Sequence, residues 1–140
     1  MKVTIPKGAK AKVKSSEDIY TIMHAILMRQ NKLRRKKEYF WTIGLNTSSD
    51  IMYIELISMG GLNETTVEPI EVFSLAVGKK CNRLILVHNH PSTNTKPSTQ
   101  DLRLTKRLGY GAGILNITIL DHLIITEENG YYSFADEGDL

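Results

Sequence analysis

The segment that follows Arg83 constrains this chain most, because it joins a buried strand to a group of metal-binding side chains. The apolar run Leu84-Ile-Leu-Val87 is bounded by turn residues, which is typical of a strand inside a sheet. His88 and His90 come directly after it, and Pro91 ends the strand. Sites in open α/β sheets tend to lie at the carboxyl ends of strands, so we expect both imidazoles to lie at a rigidly placed site.

The spacing of the two histidines allows both to bind one ion. Residues two apart on a strand point the same way, whereas Asn89 between them faces the other side. Asp101 supplies a third ligand from beyond the polar loop that follows. Because a catalytic zinc keeps three protein ligands and leaves its fourth position to water, the sequence predicts a Zn²⁺ site at His88, His90 and Asp101.

The same residues also have interpretations that need no metal. Ser98-Thr-Gln-Asp101 matches the Ser-x-x-Asp capping pattern at the start of an amphipathic helix, so Asp101 can serve as a helix cap alone. His88 and His90 can form a hydrogen-bonded pair near a sheet edge. The two roles of Asp101 are compatible, since a carboxylate in a first helical turn can also face a metal on the adjoining strand.

Taken together, these residues resemble a known motif. His88-x-His90-Pro91, followed by Ser98-x-x-Asp101, resembles the JAMM motif of the JAB/MPN zinc metallopeptidases. The segments LVHNHPS and PSTQD are similar to the RadC-like branch of that superfamily. The stretch 120–126 followed by 130–133 is similar to the closing hairpin of RadC-like proteins, and the resemblance as a whole covers residues 15–135.

The resemblance implies an activity and a general base. JAMM proteins carry an upstream glutamate at the start of the first strand, and Glu38 has that place here. The implied reaction is hydrolysis of a peptide or isopeptide bond by metal-activated water, with Glu38 as general base and the Ser98 hydroxyl as donor to the oxyanion. Without the resemblance, Glu38 is better interpreted as a solvated charge. By residue type alone, four other glutamates are alternatives for the base: Glu55, Glu64, Glu68 and Glu71.

The N-terminal segment 1–14 departs from the family pattern. RadC-like proteins usually begin with a helix-hairpin-helix region of the kind that binds DNA, and because only this short basic segment precedes the first predicted helix, we expect that region to be lacking here. We expect segment 1–14 to be a flexible tail. Residues 15–140, in a chain with 41% hydrophobic residues, are expected to form a single domain with one core of ordinary size.

Periodicity along the chain predicts the order of helices and strands. A helix capped by Ser15 carries one apolar stripe, formed by Ile19, Ile22, Met23, Ile26 and Leu27. Helices are also predicted at 67–77 and 99–108, the second closed by the glycines of 109–113, and strands at 39–45, 51–58, 83–87, 115–120, 123–126 and 131–134. This order predicts an α/β fold with a mixed, largely antiparallel sheet flanked by helices. The resemblance implies the same architecture, a JAB/MPN-like and cytidine-deaminase-like sandwich.

Asp121 and His122 form a second Asp-His pair between two predicted strands. We interpret the pair as a turn with a side-chain hydrogen bond and not as another metal site. In this position His122 can still support the ligands of the first site. The interpretation therefore gives the chain one metal site with one possible supporting histidine.

The charge of the chain raises the question of its partners. The net charge is +3, with a pI near 9.0, and a basic run precedes Glu38: Lys32, Arg34, Arg35, Lys36 and Lys37. Such a run can bind nucleic acid phosphates non-specifically or attract an acidic protein substrate, although it is more often a solvated face. A DNA-associated repair accessory protein or nuclease is therefore an alternative to the peptidase, and a non-catalytic MPN-type interaction module is a second alternative.

Composition and hydropathy also bear on location. The apolar stretches are too short and interrupted to span a membrane, and the N-terminus lacks the apolar core of a signal peptide. The single cysteine, Cys81, excludes an internal disulfide. We therefore expect a cytoplasmic protein without a membrane partner.

Overall fold

The computed structural model describes residues 1–9, 11–60 and 66–140. A 3₁₀ turn at Arg34–Lys36 precedes the first strand, and the helices and strands are α1 (Ser16–Met28), β1 (Glu38–Leu45), β2 (Ile51–Gly60), α2 (Pro69–Gly78), β3 (Arg83–Asn89), α3 (Thr99–Leu115), β4 (Thr118–Ile125), β5 (Tyr131–Ser133) and α4 (Phe134–Glu137). Among the described residues, no helix is long and apolar enough to cross a membrane.

The first helix forms as its sequence predicts. Ser15 is the N-cap, and its hydroxyl accepts a hydrogen bond from the backbone N–H of Asp18. The predicted apolar stripe is buried against the sheet beside Trp41, Ile43 and Val87. Each of its side chains contributes about 1.5–3 kcal/mol to folding by leaving water.

The five strands form one mixed sheet in the order β2-β1-β3-β4-β5. Only the β3–β4 pair is parallel among the described strands, and the other three pairs are antiparallel. α1 packs on one face, whereas α2 and α3 pack on the other through Val72, Phe73, Leu104 and Leu108. The predicted α/β fold, a largely antiparallel sheet flanked by helices, is confirmed.

The strand that carries the histidines lies in the middle of the sheet, between β1 and β4. At its end, the Asn89 side chain accepts a hydrogen bond from the Tyr39 N–H (2.6 Å) and donates one to the Lys37 carbonyl (2.9 Å). These bonds fasten the start of β1 to the end of β3. The residue between Lys37 and Tyr39, Glu38, is thereby held at the same edge of the sheet as His90.

The third helix is longer than predicted. It continues through the glycine-rich segment 109–113 to Leu115, and its C-cap Asn116 has a left-handed φ of 57°. At Gly111 an added Cβ would lie 2.9 Å from Phe73 Cε2 of α2, so the absent side chain lets the two helices approach. Burial of Ala112 holds this part of the helix on the sheet, which offsets the roughly 1 kcal/mol that each helical glycine costs relative to alanine.

The prediction of a turn at Asp121 and His122 was wrong, because both residues lie inside β4. Asp121 pairs with Ile85 and His122 with Leu86 in the parallel ladder. Neighbouring strand residues face opposite sides, so the two side chains lie on different faces of the sheet. A polar pair can stay in a buried strand here because each side chain has hydrogen-bonding partners from other elements.

The end of the chain also differs from its prediction. The last strand stops at Ser133, and the predicted strand residue Phe134 begins the short helix α4. Ser133 caps this helix by accepting a hydrogen bond from the Asp136 N–H (3.1 Å). The capping bond ends the strand one residue early.

The described part of the N-terminal segment lies along the outer edge of β2. The Val3 N–H donates to the Ile54 carbonyl (2.8 Å), and the Ile51 N–H donates to the Ala11 carbonyl (2.8 Å). Lys12 also forms an ion pair with Asp50 (3.3 Å). These contacts cover an otherwise open strand edge, and flexibility of the segment stays a prediction.

Candidate metal centre

Three side chains converge at the carboxyl end of β3. His88 Nε2 lies 3.2 Å from His90 Nε2 and 3.3 Å from Asp101 Oδ1. His90 Nε2 lies 3.0 Å from Asp101 Oδ2. The three predicted metal ligands are therefore brought together as a group that can hold an ion.

The group fits a tetrahedral zinc. Ligand atoms about 2.05 Å from a tetrahedral zinc lie roughly 3.3 Å from one another. The two histidine nitrogens have about this separation, and each lies at a similar distance from a different oxygen of the Asp101 carboxylate. Two imidazole nitrogens and one carboxylate oxygen are donors that zinc accepts, and they leave the fourth position open. The spacing and the chemistry of the donors thus both suit a catalytic type of site.

Asp101 serves as helix cap and as part of this group at once. The Ser98 hydroxyl accepts a hydrogen bond from the Asp101 N–H (3.0 Å), and Asp101 Oδ2 accepts one from the Ser98 N–H (2.9 Å). This capping box fixes the first turn of α3 and aims the carboxylate at β3. Burial raises the pKa of Asp101, but the neighbouring imidazoles of His88 and His90 lower it more, so the overall shift is downward.

His90 presents its Nε2 atom to the group because its other nitrogen is occupied. Nδ1 lies 2.8 Å from the Asn94 carbonyl oxygen, which can only accept, so Nδ1 carries a proton. Burial lowers the pKa of His90, but the hydrogen bonds to Asp101 and Asn94 and the nearby charges of Asp101 and Glu38 raise it overall. The site therefore favours a positive charge at Nε2.

His88 is supported from behind by two buried residues. Its Nδ1 lies 2.7 Å from His122 Nε2, and His122 Nδ1 lies 2.6 Å from Thr105 Oγ1. Burial lowers the pKa of His122 well below its usual value. The support that the sequence allowed for His122 is thus observed, although it comes from a strand and not from a turn.

Glu38 lies beside the group, at the first position of β1. Phe40 pairs with His88 in the antiparallel ladder, and continuing that register by two residues places Glu38 opposite His90. Its negative charge acts on His90. Glu38 also lines a cavity of about 380 Å³, together with Pro91 and with Gly60, the last residue of β2. Glu38 thus lies near the predicted metal ligands, and its role as general base stays a prediction.

The other glutamates have different surroundings. Glu55 lies on β2 and forms an ion pair with the N-terminal amine (3.8 Å). Glu68 is the N-cap residue of α2, and Glu71 lies in its first turn. Glu64 lies outside the described residues.

The basic run before β1 is partly engaged in the fold. The Arg35 guanidinium forms an ion pair with Glu127 (2.6 Å) and donates to the Gln30 carbonyl (3.1 Å). Lys36 and Lys37 line the cavity beside Glu38. Positive charge thus lies next to the candidate site, while one arginine of the run has a structural role.

Thr105 and Asn94 are site residues that sequence reasoning missed. Thr105 comes one helical turn after Asp101, and this i, i+4 spacing could have indicated that both side chains face β3. Asn94 contributes its backbone carbonyl, which no side-chain motif reveals. Its loop is held by Asn129, whose side chain donates to the Thr93 carbonyl (2.7 Å) from the β4–β5 turn.

With the fold and the site described, comparison with known proteins defines the family. Residues 13–139 match the RadC-like JAB domain, so this chain belongs to the RadC-like JAB domain family. The match includes every residue of the site, from Glu38 on β1 to His122 on β4. This agrees with the resemblance carried by the histidine and capping motifs.

Relatives of this chain are found in archaea and bacteria. It is 40% identical to a UPF0758 protein of Methanosarcina mazei over 96% of this chain and 56% of that protein. It is 42% identical to a UPF0758 protein of Flavobacterium johnsoniae, over 91% of this chain and 53% of that protein. The chain therefore spans about half the length of the curated relatives it matches.

Proposed function

We propose that this chain is a zinc-dependent hydrolase of the JAMM type that cleaves a peptide or isopeptide bond. The observation that carries the proposal is the convergence of His88, His90 and Asp101 at separations of 3.0–3.3 Å, with Glu38 beside them. When bound, zinc would polarise the scissile carbonyl and lower the pKa of a water to about 7.

Glu38 acts as the general base in this proposal. Its carboxylate takes a proton from the attacking water and gives it to the leaving amine, so no net proton is gained by the protein. The glutamate suits this task because it lines the cavity and its charge acts on His90. Proton transfer by a positioned side chain contributes about 10²–10⁴-fold to a rate.

Ser98 acts as the donor to the oxyanion. Its Oγ already accepts the Asp101 N–H, which leaves the hydroxyl proton for a partner on the other side. The capping box holds the serine in place beside the carboxylate of Asp101. Loss of one such donor typically costs about 10²–10³-fold in turnover.

The proposed substrate is a peptide or protein with an acidic group close to the cleaved bond. Lys36 and Lys37 lie along the same cavity as Glu38 and can attract that group. Binding of nucleic acid by the basic run is the alternative. Because Arg35 is paired with Glu127, that alternative would depend on the remaining basic side chains.

The test combines metal content and hydrolysis in purified variants. Zinc is measured by mass spectrometry in wild type, Glu38→Gln, Glu55→Gln and His88→Ala, all purified without a chelator or a metal-binding tag. Each is then assayed against acidic and neutral peptides, an isopeptide-linked pair and DNA. Glu55→Gln is the matched control, since it changes a strand glutamate that pairs with the N-terminal amine.

We expect about one zinc per chain in every variant except His88→Ala, which should have none. Peptide or isopeptide hydrolysis should fall by at least about 100-fold in Glu38→Gln and stay near wild type in Glu55→Gln. Absence of zinc from wild type, even after zinc is added, would contradict the proposal and favour the interaction module. Zinc-dependent cleavage of DNA alone would replace the peptidase with the nuclease.

A further inference from the structure

A continuous chain of buried polar side chains runs behind the candidate metal centre. It leads from His88 Nδ1 to His122 Nε2 (2.7 Å), and from His122 Nδ1 to Thr105 Oγ1 (2.6 Å). Thr105 Oγ1 then donates to the backbone carbonyl oxygen of Asp101 (2.8 Å). The chain begins at one candidate ligand and ends on the backbone of another, and its three side chains are 0–7% exposed.

The direction of each hydrogen bond follows from the last one. A hydroxyl has one proton, and Thr105 gives it to the Asp101 carbonyl, which can only accept. Thr105 Oγ1 must therefore accept the bond from His122, so His122 Nδ1 carries a proton. The His122 ring is fully buried and lies 4.6 Å from the Phe134 ring, surroundings that oppose a second proton and a charge.

With Nδ1 protonated and the ring neutral, His122 Nε2 holds a lone pair. This lone pair faces His88 Nδ1 and accepts a hydrogen bond from the N–H group there. His88 Nε2 is then left without a proton, and it points at His90 and Asp101. In the opposite tautomer, a proton on Nε2 would occupy the place that a metal needs.

We infer that Thr105 and His122 are positioning residues that hold His88 in its Nδ1–H tautomer and thereby present the Nε2 lone pair to the metal. The inference rests on the proposed metal site. It links three elements, because Thr105 lies one turn after Asp101 on α3, His122 lies on β4 and His88 on β3. One turn of α3 therefore supplies a ligand and sets the tautomer of another ligand.

The test measures the tautomer without metal and the zinc affinity separately. Nitrogen-15 NMR of the histidine rings, at about pH 8 where free imidazole is neutral, reports which nitrogen of His88 carries the proton in chelator-treated protein. Zinc affinity is measured by competition with a coloured chelator. The variants are Thr105→Val, Thr105→Ser, His122→Leu and His122→Gln, and Thr42→Val serves as a control for losing a buried threonine hydroxyl elsewhere.

Wild type, Thr42→Val and Thr105→Ser should show His88 protonated at Nδ1. Thr105→Val and His122→Leu should mix the tautomers and bind zinc about 10- to 100-fold more weakly. His122→Gln should recover most of the affinity, because an amide keeps an acceptor for His88 and a donor for Thr105. A purely structural role would not distinguish glutamine from leucine in this way.

Unchanged tautomer and zinc affinity in folded Thr105→Val and His122→Leu would overturn the inference. Equal losses in Thr42→Val and Thr105→Val would overturn it too, since the effect would then come from general destabilisation. If wild type binds no zinc, the proposed function fails. The NMR comparison in metal-free protein then decides by itself whether Thr105 and His122 set the tautomer of His88. The two ideas can therefore fail independently.

Discussion

Asp101 and Asp121 are two buried aspartates that the fold uses differently. Their exposed fractions are 9% and 5%, and each accepts hydrogen bonds from backbone N–H groups. Asp101 begins α3 on the face of the sheet that carries His88, whereas Asp121 lies on β4 and pairs with Ile85, which faces α1. Burial and residue type are thus nearly matched, and the partners differ.

The partners decide the charge that each carboxylate favours. Asp101 faces two imidazoles, which lower its pKa in spite of burial. Around Asp121, burial raises the pKa overall, although bonds from the Ser133 hydroxyl and from backbone N–H groups oppose the rise. We conclude that Asp101 is placed to hold a cation, while Asp121 joins β4 to the end of the chain.

The largest expected difference between the two residues is in metal binding. Asp101→Asn should lose zinc, because an amide replaces the only anionic donor of the group. Asp121→Asn should change zinc affinity by less than about tenfold, since the only residue behind the site that Asp121 bonds is His122, and it bonds the backbone N–H of that residue. Titration of both variants with zinc in the presence of a coloured chelator checks this. Equal loss in both would show that the two aspartates are not functionally distinct.

For the free energy of unfolding in metal-free protein, we expect Asp121 to matter more than Asp101. Asp121→Ala leaves the Ser133 hydroxyl (2.6 Å) and the backbone N–H groups of His122 (2.7 Å) and Ala135 (3.0 Å) without their acceptor. At about 1 kcal/mol or more for each buried donor, we expect unfolding to be easier by about 3 kcal/mol. The midpoint of urea unfolding in metal-free protein measures this. Asp121→Asn keeps an acceptor and should lose less, so a larger loss in that variant would contradict the account.

The comparison also explains how far sequence reasoning could reach. The Asp101 site was predictable because its signals are local: a histidine pair at the end of a strand, a proline, and a capping box four residues long. The second role of Asp101, in the capping box, was predictable from the same segment. The histidine pair, the capping box and the stripe of α1 each depend on spacing within a short segment, and a sequence displays such spacing.

Asp121 was misjudged because its partners are distant in sequence. Nothing around Asp121 and His122 indicates that Ser133 and Thr105 satisfy them inside the sheet, so a turn was the simpler interpretation. The end of α3 was misjudged for a similar reason, since contact between Gly111 and Phe73 of another helix favours the helical form. Polar strand residues and helical glycines are explained by tertiary contacts, which single-sequence patterns do not contain.

A smaller effect is expected at the serines that partner the two aspartates. Ser98→Ala removes the capping bond to the Asp101 N–H and should cost about 1 kcal/mol of stability while zinc content stays unchanged. Ser133→Ala should cost more, because Ser133 caps α4 and also donates to Asp121. Urea unfolding and metal analysis of the two variants provide the comparison. Loss of zinc in Ser98→Ala would mean that the capping box also holds the metal-binding geometry.

The smallest expected effect is a pH dependence of stability at Asp121. Burial raises the pKa of Asp121 in the folded protein above the usual value for an aspartate, so the folded state binds this proton more tightly than the unfolded chain does. Stability contributed by the carboxyl should therefore rise as pH falls through the folded pKa, and level off below the unfolded value. The measurement is the difference in unfolding free energy between wild type and Asp121→Asn, both metal-free, between about pH 7 and pH 4. Groups that do not interact with Asp121 cancel in this difference. If the stability of wild type relative to Asp121→Asn instead grows with pH, hydrogen bonds, and not burial, dominate at Asp121.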